Sequence, residues 1–185
     1  SHVIMKFPKT SKTKGPVEVH WMDGGIQPER PEELGPNETF GDGGNGTYFI
    51  GTKGKMMCGT YGANPKLLPI SKTNEVKVKQ TYPRVPGGDN GHYAQWVEGA
   101  IAGYDNAKMS SSFDMAGPLS EAFLMSNLAI RGFDIRKPRA NGKGFDYPAR
   151  YVELLWDNDN MKVTNIDDVN QFIKRNYREG FGVTM

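Results

Sequence analysis

Apolar residues recur with period two in the first sixty residues and with period 3.6 after residue 90. That order constrains the fold more than any single motif, because alternation builds half-buried strands and the longer period builds amphipathic helices. Val3, Met5 and Phe7 alternate with His2, Ile4 and Lys6, and Pro8 ends the run. After a lysine-rich turn, Val17, Val19 and Trp21 alternate with Glu18, His20 and Met22. The two runs predict an antiparallel hairpin with a long loop. Thr47–Ile50, the turn Gly51-Thr52-Lys53-Gly54 and Lys55–Cys58 predict a second, tight hairpin. Strands first and helices later predict an α+β domain, in which an antiparallel or mixed sheet is covered by helices, rather than alternating βαβ units.

Three helices are expected. Tyr93, Trp96, Val97, Ala100 and Ile101 form one apolar stripe on a helix starting near Asn90, which predicts that Trp96 is buried. A second helix is predicted from Pro118, where a first-turn proline is tolerated, to Arg131. It is apolar most of the way round and is expected to be the most buried. A third follows Thr164-Asn165, with Asp167 and Asp168 at the positive end of its dipole and Val169, Phe172, Ile173 and Tyr177 as its stripe. Tyr151–Trp156 reads as a strand. Residues 23–45 and 61–90 read as long, turn-rich loops, and loops of that length are functional or disordered.

A length of 185 residues fits one domain, 1–185. The net charge of +2 is spread along the chain, so there is no concentrated basic face for a nucleic acid. No apolar run is long enough to span a bilayer. The single cysteine, Cys58, excludes an internal disulfide, leaves the compartment open, and reads as a small buried hydrophobe.

Most motifs fail on chemistry. Gly41–Gly46 is glycine-rich but precedes a strand, whereas a dinucleotide fingerprint must follow a strand and open a helix; it reads as a plain flexible loop. His2, His20 and His92 have no metal-ligand spacing, so no metal is expected. Asp157–Met161 lacks the glycine and glutamate of a calcium loop and reads as a turn. Two loops remain. In one, His20, Trp21 and Asp23 suit a sugar: the ring covers an apolar face while carboxylate and imidazole take hydroxyls. The alternative is a core tryptophan and a capping aspartate. In the other, Arg84, His92 and Tyr93 flank a helix start that favours anions; the alternative is simple capping by Asp89 or Asn90.

The same loops carry a resemblance. Trp21-Met22-Asp23-Gly24-Gly25 with Pro28–Leu34 resembles a "WYDGG…PRPEEL" signature, and Phe49–Met56 resembles "FVGDKGKL". Gly91–Trp96 resembles "HYQEW" and Ser112–Glu121 resembles "SNFDYAGPLTE"; Met161–Asn165 and Tyr177–Phe181 complete an ordered set. Together they resemble the C-terminal region of the glucose–fructose oxidoreductase / inositol dehydrogenase (Gfo/Idh/MocA) family, in a bacterial branch. The resemblance implies a large mostly antiparallel sheet with helices packed on one face. It also implies a parent enzyme with an N-terminal Rossmann domain, absent from this chain, that binds NAD or NADP and acts on a sugar or polyol. The family's cofactor fingerprint and catalytic lysine belong to that first domain, so no catalytic or cofactor-binding residue is carried over. The substrate-binding candidates are His20, Trp21, Asp23, Arg84, His92 and Tyr93. The expected partners are the Rossmann domain, a sugar-like small molecule and a second copy. The second copy would meet the sheet, because its strands carry apolar groups on both faces; a loop, 23–45 or 61–90, folding over that face is the alternative. Nucleic acid and membrane are not expected. The compartment, bacterial cytoplasm or periplasm, is left open. A parent that uses NAD for glycoside cleavage, or a non-catalytic carbohydrate-binding or structural module, remain as alternatives.

Overall fold

The computed structural model describes residues 1–182 and is α+β. By contacts the chain divides into two compact units: Ser1–Trp21 with the chain from Gly99 onward, and Met22–Glu98.

In the first unit, β1 (His2–Phe7) pairs with β2 (Val17–Met22), as the alternation predicts. Val3 and Met5 are buried and Phe7 half-buried, so the expected inward face of β1 holds. The core lies further along the chain. Leu128, Ala149, Val163 and Val169 are buried together, with Leu154, Trp156 and Phe172 packed around them. Val169 sits on a 3-10 helix, Asp167–Phe172, where the sequence predicts an α-helix. Its Val169, Phe172 and Ile173 do pack inward, but Tyr177 is exposed. Gly132 explains how closely this segment approaches α3 (Ser126–Gly132): a Cβ there would lie 3.1 Å from Val169 Cγ2 and 3.4 Å from the Ala149 Cβ.

Three expectations fail here. The helix expected from Pro118 to Arg131 is two helices, α2 (Phe113–Leu124) and α3, which meet at Met125. Ser112 starts α2 five residues earlier than expected, its carbonyl accepting from Met115 N and Ala116 N at 3.0 Å each. Pro118 therefore lies inside the helix, removing a backbone donor. Nor is α2 the most buried helix. It has no buried residue, and Leu119 and Leu124 are exposed. After a short antiparallel pair, β6 (Lys137–Pro138) with β7 (Phe145–Asp146), the strand expected over Tyr151–Trp156 is reduced to β8 (Trp156–Asp157), paired with β9 (Lys162–Val163). Tyr151 has φ 58°, which breaks an extended run.

In the second unit, β3 (Thr47–Gly51) and β4 (Gly54–Cys58) form the expected tight hairpin, with Tyr48 opposite Met57 and Phe49 opposite Met56. A third strand, β5 (Lys66–Leu68), lies within the stretch 61–90 expected to be loop and pairs with β4. Residues directly opposite share a face, so one face carries Tyr48, Met57 and Leu68. The loop covers it: Leu34, Phe40 and Ile70 close over Met57 and Leu68. The stretch 23–45 is thus largely a lid on the sheet. Arg30 holds it, donating to Gly35 O at 2.5 Å and Glu38 O at 2.7 Å. The other face carries Phe49, Met56 and Leu67, and Phe49 is half-exposed.

The apolar stripe of α1 (Gly91–Ala102) is a further correction. Trp96 is 69% exposed, with Tyr93, Val97 and Ile101 exposed beside it. Among the described residues no sheet exceeds three strands, so the large sheet with helices on one face is not present. The chain leaves 15446 Å² accessible. A folded monomer of this mass exposes about 8,900 Å², and even two separate units sharing the mass about 10,700 Å². No helix among the described residues is long and apolar enough to cross a membrane.

Candidate functional site

The six candidate residues are divided between the units. In the first, His20 and Trp21 stand at the end of β2. His20 Nδ1 lies 3.0 Å from His2 Nε2, so the two histidines share one proton position between their rings. His20 Nε2 lies 3.6 Å from Glu18 Oε2. Trp21 meets Phe123 of α2 edge-to-face, with ring centroids 5.6 Å apart, and keeps 45% of its surface exposed. It is therefore neither a core residue nor a free platform: Phe123 packs against it, and just under half of its surface stays exposed.

In the second unit, Asp23 opens a turn. Ile26 N donates to Asp23 O at 3.3 Å, and Gly24 and Gly25 take φ 66° and 85°, which suits residues without a Cβ. Arg84 is exposed in the segment ahead of α1. His92 and Tyr93 occupy the first turn of α1, with ring centroids 3.8 Å apart, and both rings are exposed. Gly91 lets this start sit tightly on its approach, because a Cβ there would collide with Pro86 O. Within this unit, His92 and Tyr93 are brought together, while Asp23 and Arg84 belong to other segments.

The glycine-rich loop, expected to be plain and flexible, is tied down. Asp42 N donates to Asn45 O at 2.9 Å, and Gly46 N donates to Asn45 Oδ1 at 2.8 Å. Asp42 Oδ2 accepts from Thr60 N at 2.6 Å; hydrogen bonding from the Thr60 side chain, and then from this backbone N–H, holds the Asp42 carboxyl below its usual range. Gly59 has to be glycine, since a Cβ would run into the Asp42 carboxylate, and Gly46 likewise faces Cys58 O. The loop does precede a strand, as the motif argument requires.

This clamp supports a feature that the sequence reading missed. Tyr61 has φ 58° and ψ 23°, followed by Gly62 at φ 73°, and Ala63 N donates to Thr60 O at 3.1 Å. Two central residues at positive φ define a type I′ turn. A bulky side chain in that region costs about 1–2 kcal/mol. The dipeptide Tyr61-Gly62 signals a turn in sequence, but its hand is not written there.

Cys58 is buried, as expected of a small hydrophobe. Asp157 receives Asn160 N at 3.1 Å and Asn160 Nδ2 at 2.9 Å, which makes Asp157–Met161 the β8–β9 turn. Among the described residues no three histidine, cysteine or acidic side chains are grouped to hold a metal.

No protein-family profile matches the chain, and neither does any curated protein.

Proposed function

We propose that this chain is the substrate-side and oligomerisation domain of an NAD(P)-dependent oxidoreductase that acts on a sugar or polyol. The observation that carries the reading is the ordered set of six motifs, from Trp21-Met22-Asp23-Gly24-Gly25 to Tyr177–Phe181, which resembles the Gfo/Idh/MocA C-terminal region along nearly its whole length. Hydride transfer belongs to the nicotinamide, and the protein's part is to orient the substrate. Each of the two loops is proposed by itself as a substrate contact. Trp21, at the end of β2, offers a partly exposed indole, and His92-Tyr93 offers a paired polar-aromatic edge at the start of α1.

The accessible surface supports the second half of the reading. Apolar side chains on α1, on α2 and on the open face of β3–β5 stand exposed, and the total accessible surface exceeds that of folded chains of this mass. A Rossmann domain and a second copy are the proposed covers. The large antiparallel sheet of the family would form by adding strands to the open edges of β3 and β5.

Reading the coding sequence upstream of Ser1 tests the proposal. A strand–GxGxxG–helix unit there is expected; an upstream frame that encodes none would overturn the oxidoreductase reading.

A further inference from the structure

We propose that Tyr61 is a saccharide-contact residue, its ring a preformed stacking face for a pyranose or cyclitol. The proposal rests on the sugar-directed reading above and adds a residue which that reading does not contain.

Tyr61 holds the first central position of the Thr60–Ala63 turn, at φ 58°. Asn, Asp and Gly dominate that position in type I′ turns, because a Cβ with a bulky substituent crowds the backbone there. A tyrosine in such a place is normally repaid by packing. Here the ring is fully exposed, at 104%, and makes no ring contact among the described residues. The strain is imposed from outside the residue. Asp42 Oδ2 accepts from Thr60 N, Gly59 N donates to Ala63 O at 2.7 Å, and Gly62 N donates to Gly59 O at 3.1 Å. Gly59 is itself locked under the Asp42 carboxylate, with no room for a side chain. An unfavourable aromatic on an over-determined turn, with nothing gained inside the fold, points outward to a ligand.

The surroundings select the class of ligand. A protein-binding anchor sits among other aromatic and aliphatic groups in a patch that excludes water. Residues 59–66 and 41–46 hold no other large apolar side chain; beside the small Ala63 and Pro65 their groups are glycine, amide, hydroxyl, lysine and carboxylate. Asn45, Asn64 and Asp42 are exposed, and the Asp42 carboxylate has acceptor capacity left. A lone ring flanked by amides and a carboxylate matches a saccharide, whose C–H face lies on the aromatic while its hydroxyls take the polar groups.

The test uses the full chain with Tyr61→Asn and Tyr61→Phe. Asparagine accepts positive φ, so Tyr61→Asn is expected to keep or raise the thermal midpoint. Titrations with D-glucose and with myo-inositol are followed by NMR of the tyrosine ring protons. Saturable shifts of the Tyr61 ring are expected, with affinity weakened about tenfold or more in Tyr61→Asn and kept in Tyr61→Phe. Undiminished binding by Tyr61→Asn would overturn the role of Tyr61 while leaving the sugar reading in place. No binding of either probe by the wild type would overturn both. A midpoint lowered by several degrees in Tyr61→Asn would assign the tyrosine to the fold. A change in sedimentation without any sugar response would assign it to a protein contact, and each of those two results also ends the proposal.

Discussion

The side-chain amide of Asn170 pairs with both backbone groups of Val163: its Oδ1 accepts from Val163 N at 2.8 Å, and its Nδ2 donates to Val163 O at 3.0 Å. A side chain thus takes the place of a neighbouring strand beside β9. Asn165 does the same nearby, accepting from Leu155 N at 2.9 Å and donating to Glu153 O at 2.7 Å. These two amides explain how 153–165 stays ordered with only a two-residue ladder.

Asn170→Ala would leave the donor and acceptor of buried Val163 unpaired. The expected cost is about 2–3 kcal/mol. Asn170→Asp, which keeps the acceptor and loses the donor, should fall between wild type and alanine. Urea unfolding of the three proteins checks the order; equal midpoints would mean that water replaces the amide.

Trp96 and Met57 make a contrasting pair. Trp96 is 69% exposed, while Met57 is 2% exposed beneath Leu34 and Leu68. Trp96→Ala is expected to change stability by less than about 0.5 kcal/mol, the range of surface substitutions. Met57→Ala should cost about 2–5 kcal/mol. Chemical denaturation separates them, and a large loss at Trp96 would place its ring in an interface or core.

That contrast marks what the sequence could disclose. Alternation in 2–7 and 47–58 located β1, β3 and β4, because a strand's inward face is a local pattern. The stripes of α1 and α2 were equally legible, yet periodicity names an apolar face without saying whether the chain supplies its cover. Tyr151–Trp156 looked like a strand because tyrosine, valine and tryptophan favour one, but the left-handed φ at Tyr151 is set by its surroundings. The candidate loops were found by residue type. The Asp42–Thr60 clamp joins segments 18 residues apart, and nothing local announces it.

The ion pair between Glu33 and Lys55, 2.9 Å apart, fastens the 23–45 loop to β4. The hydrogen bond from Lys55 lowers the Glu33 carboxyl from its ordinary 4.5, and the same bond raises the Lys55 amine from 10.5. The lowered acid stabilises the fold above its unfolded value, and that contribution is lost as pH falls through the folded value. The raised amine contributes below its unfolded value, and its share is lost as pH rises past the folded one. Both side chains are about one-third exposed, so solvent and salt screen the pair. The difference in thermal midpoint between wild type and Glu33→Gln should be flat through neutral pH and vanish in acid. A difference that persists below the carboxylate range would show that the loop is held by something else.

Phe49 stands on the open face of the three-stranded sheet, half-exposed, opposite Met56. If a second copy covers that face, sedimentation equilibrium at micromolar concentration should give a species heavier than 20.5 kDa. Phe49→Glu should return it to monomer with little loss of stability. A clean 20.5 kDa wild-type species would contradict association through this face.

The central claim, a sugar-directed oxidoreductase parent, is tested most directly by assaying the protein made from its complete reading frame. With NAD or NADP and either D-glucose or myo-inositol, the account predicts sugar-dependent formation of the reduced nicotinamide, weakened by alanine at Trp21 and His92. No reduced cofactor with any sugar or polyol, or sugar release from a glycoside with no net reduction, would contradict it.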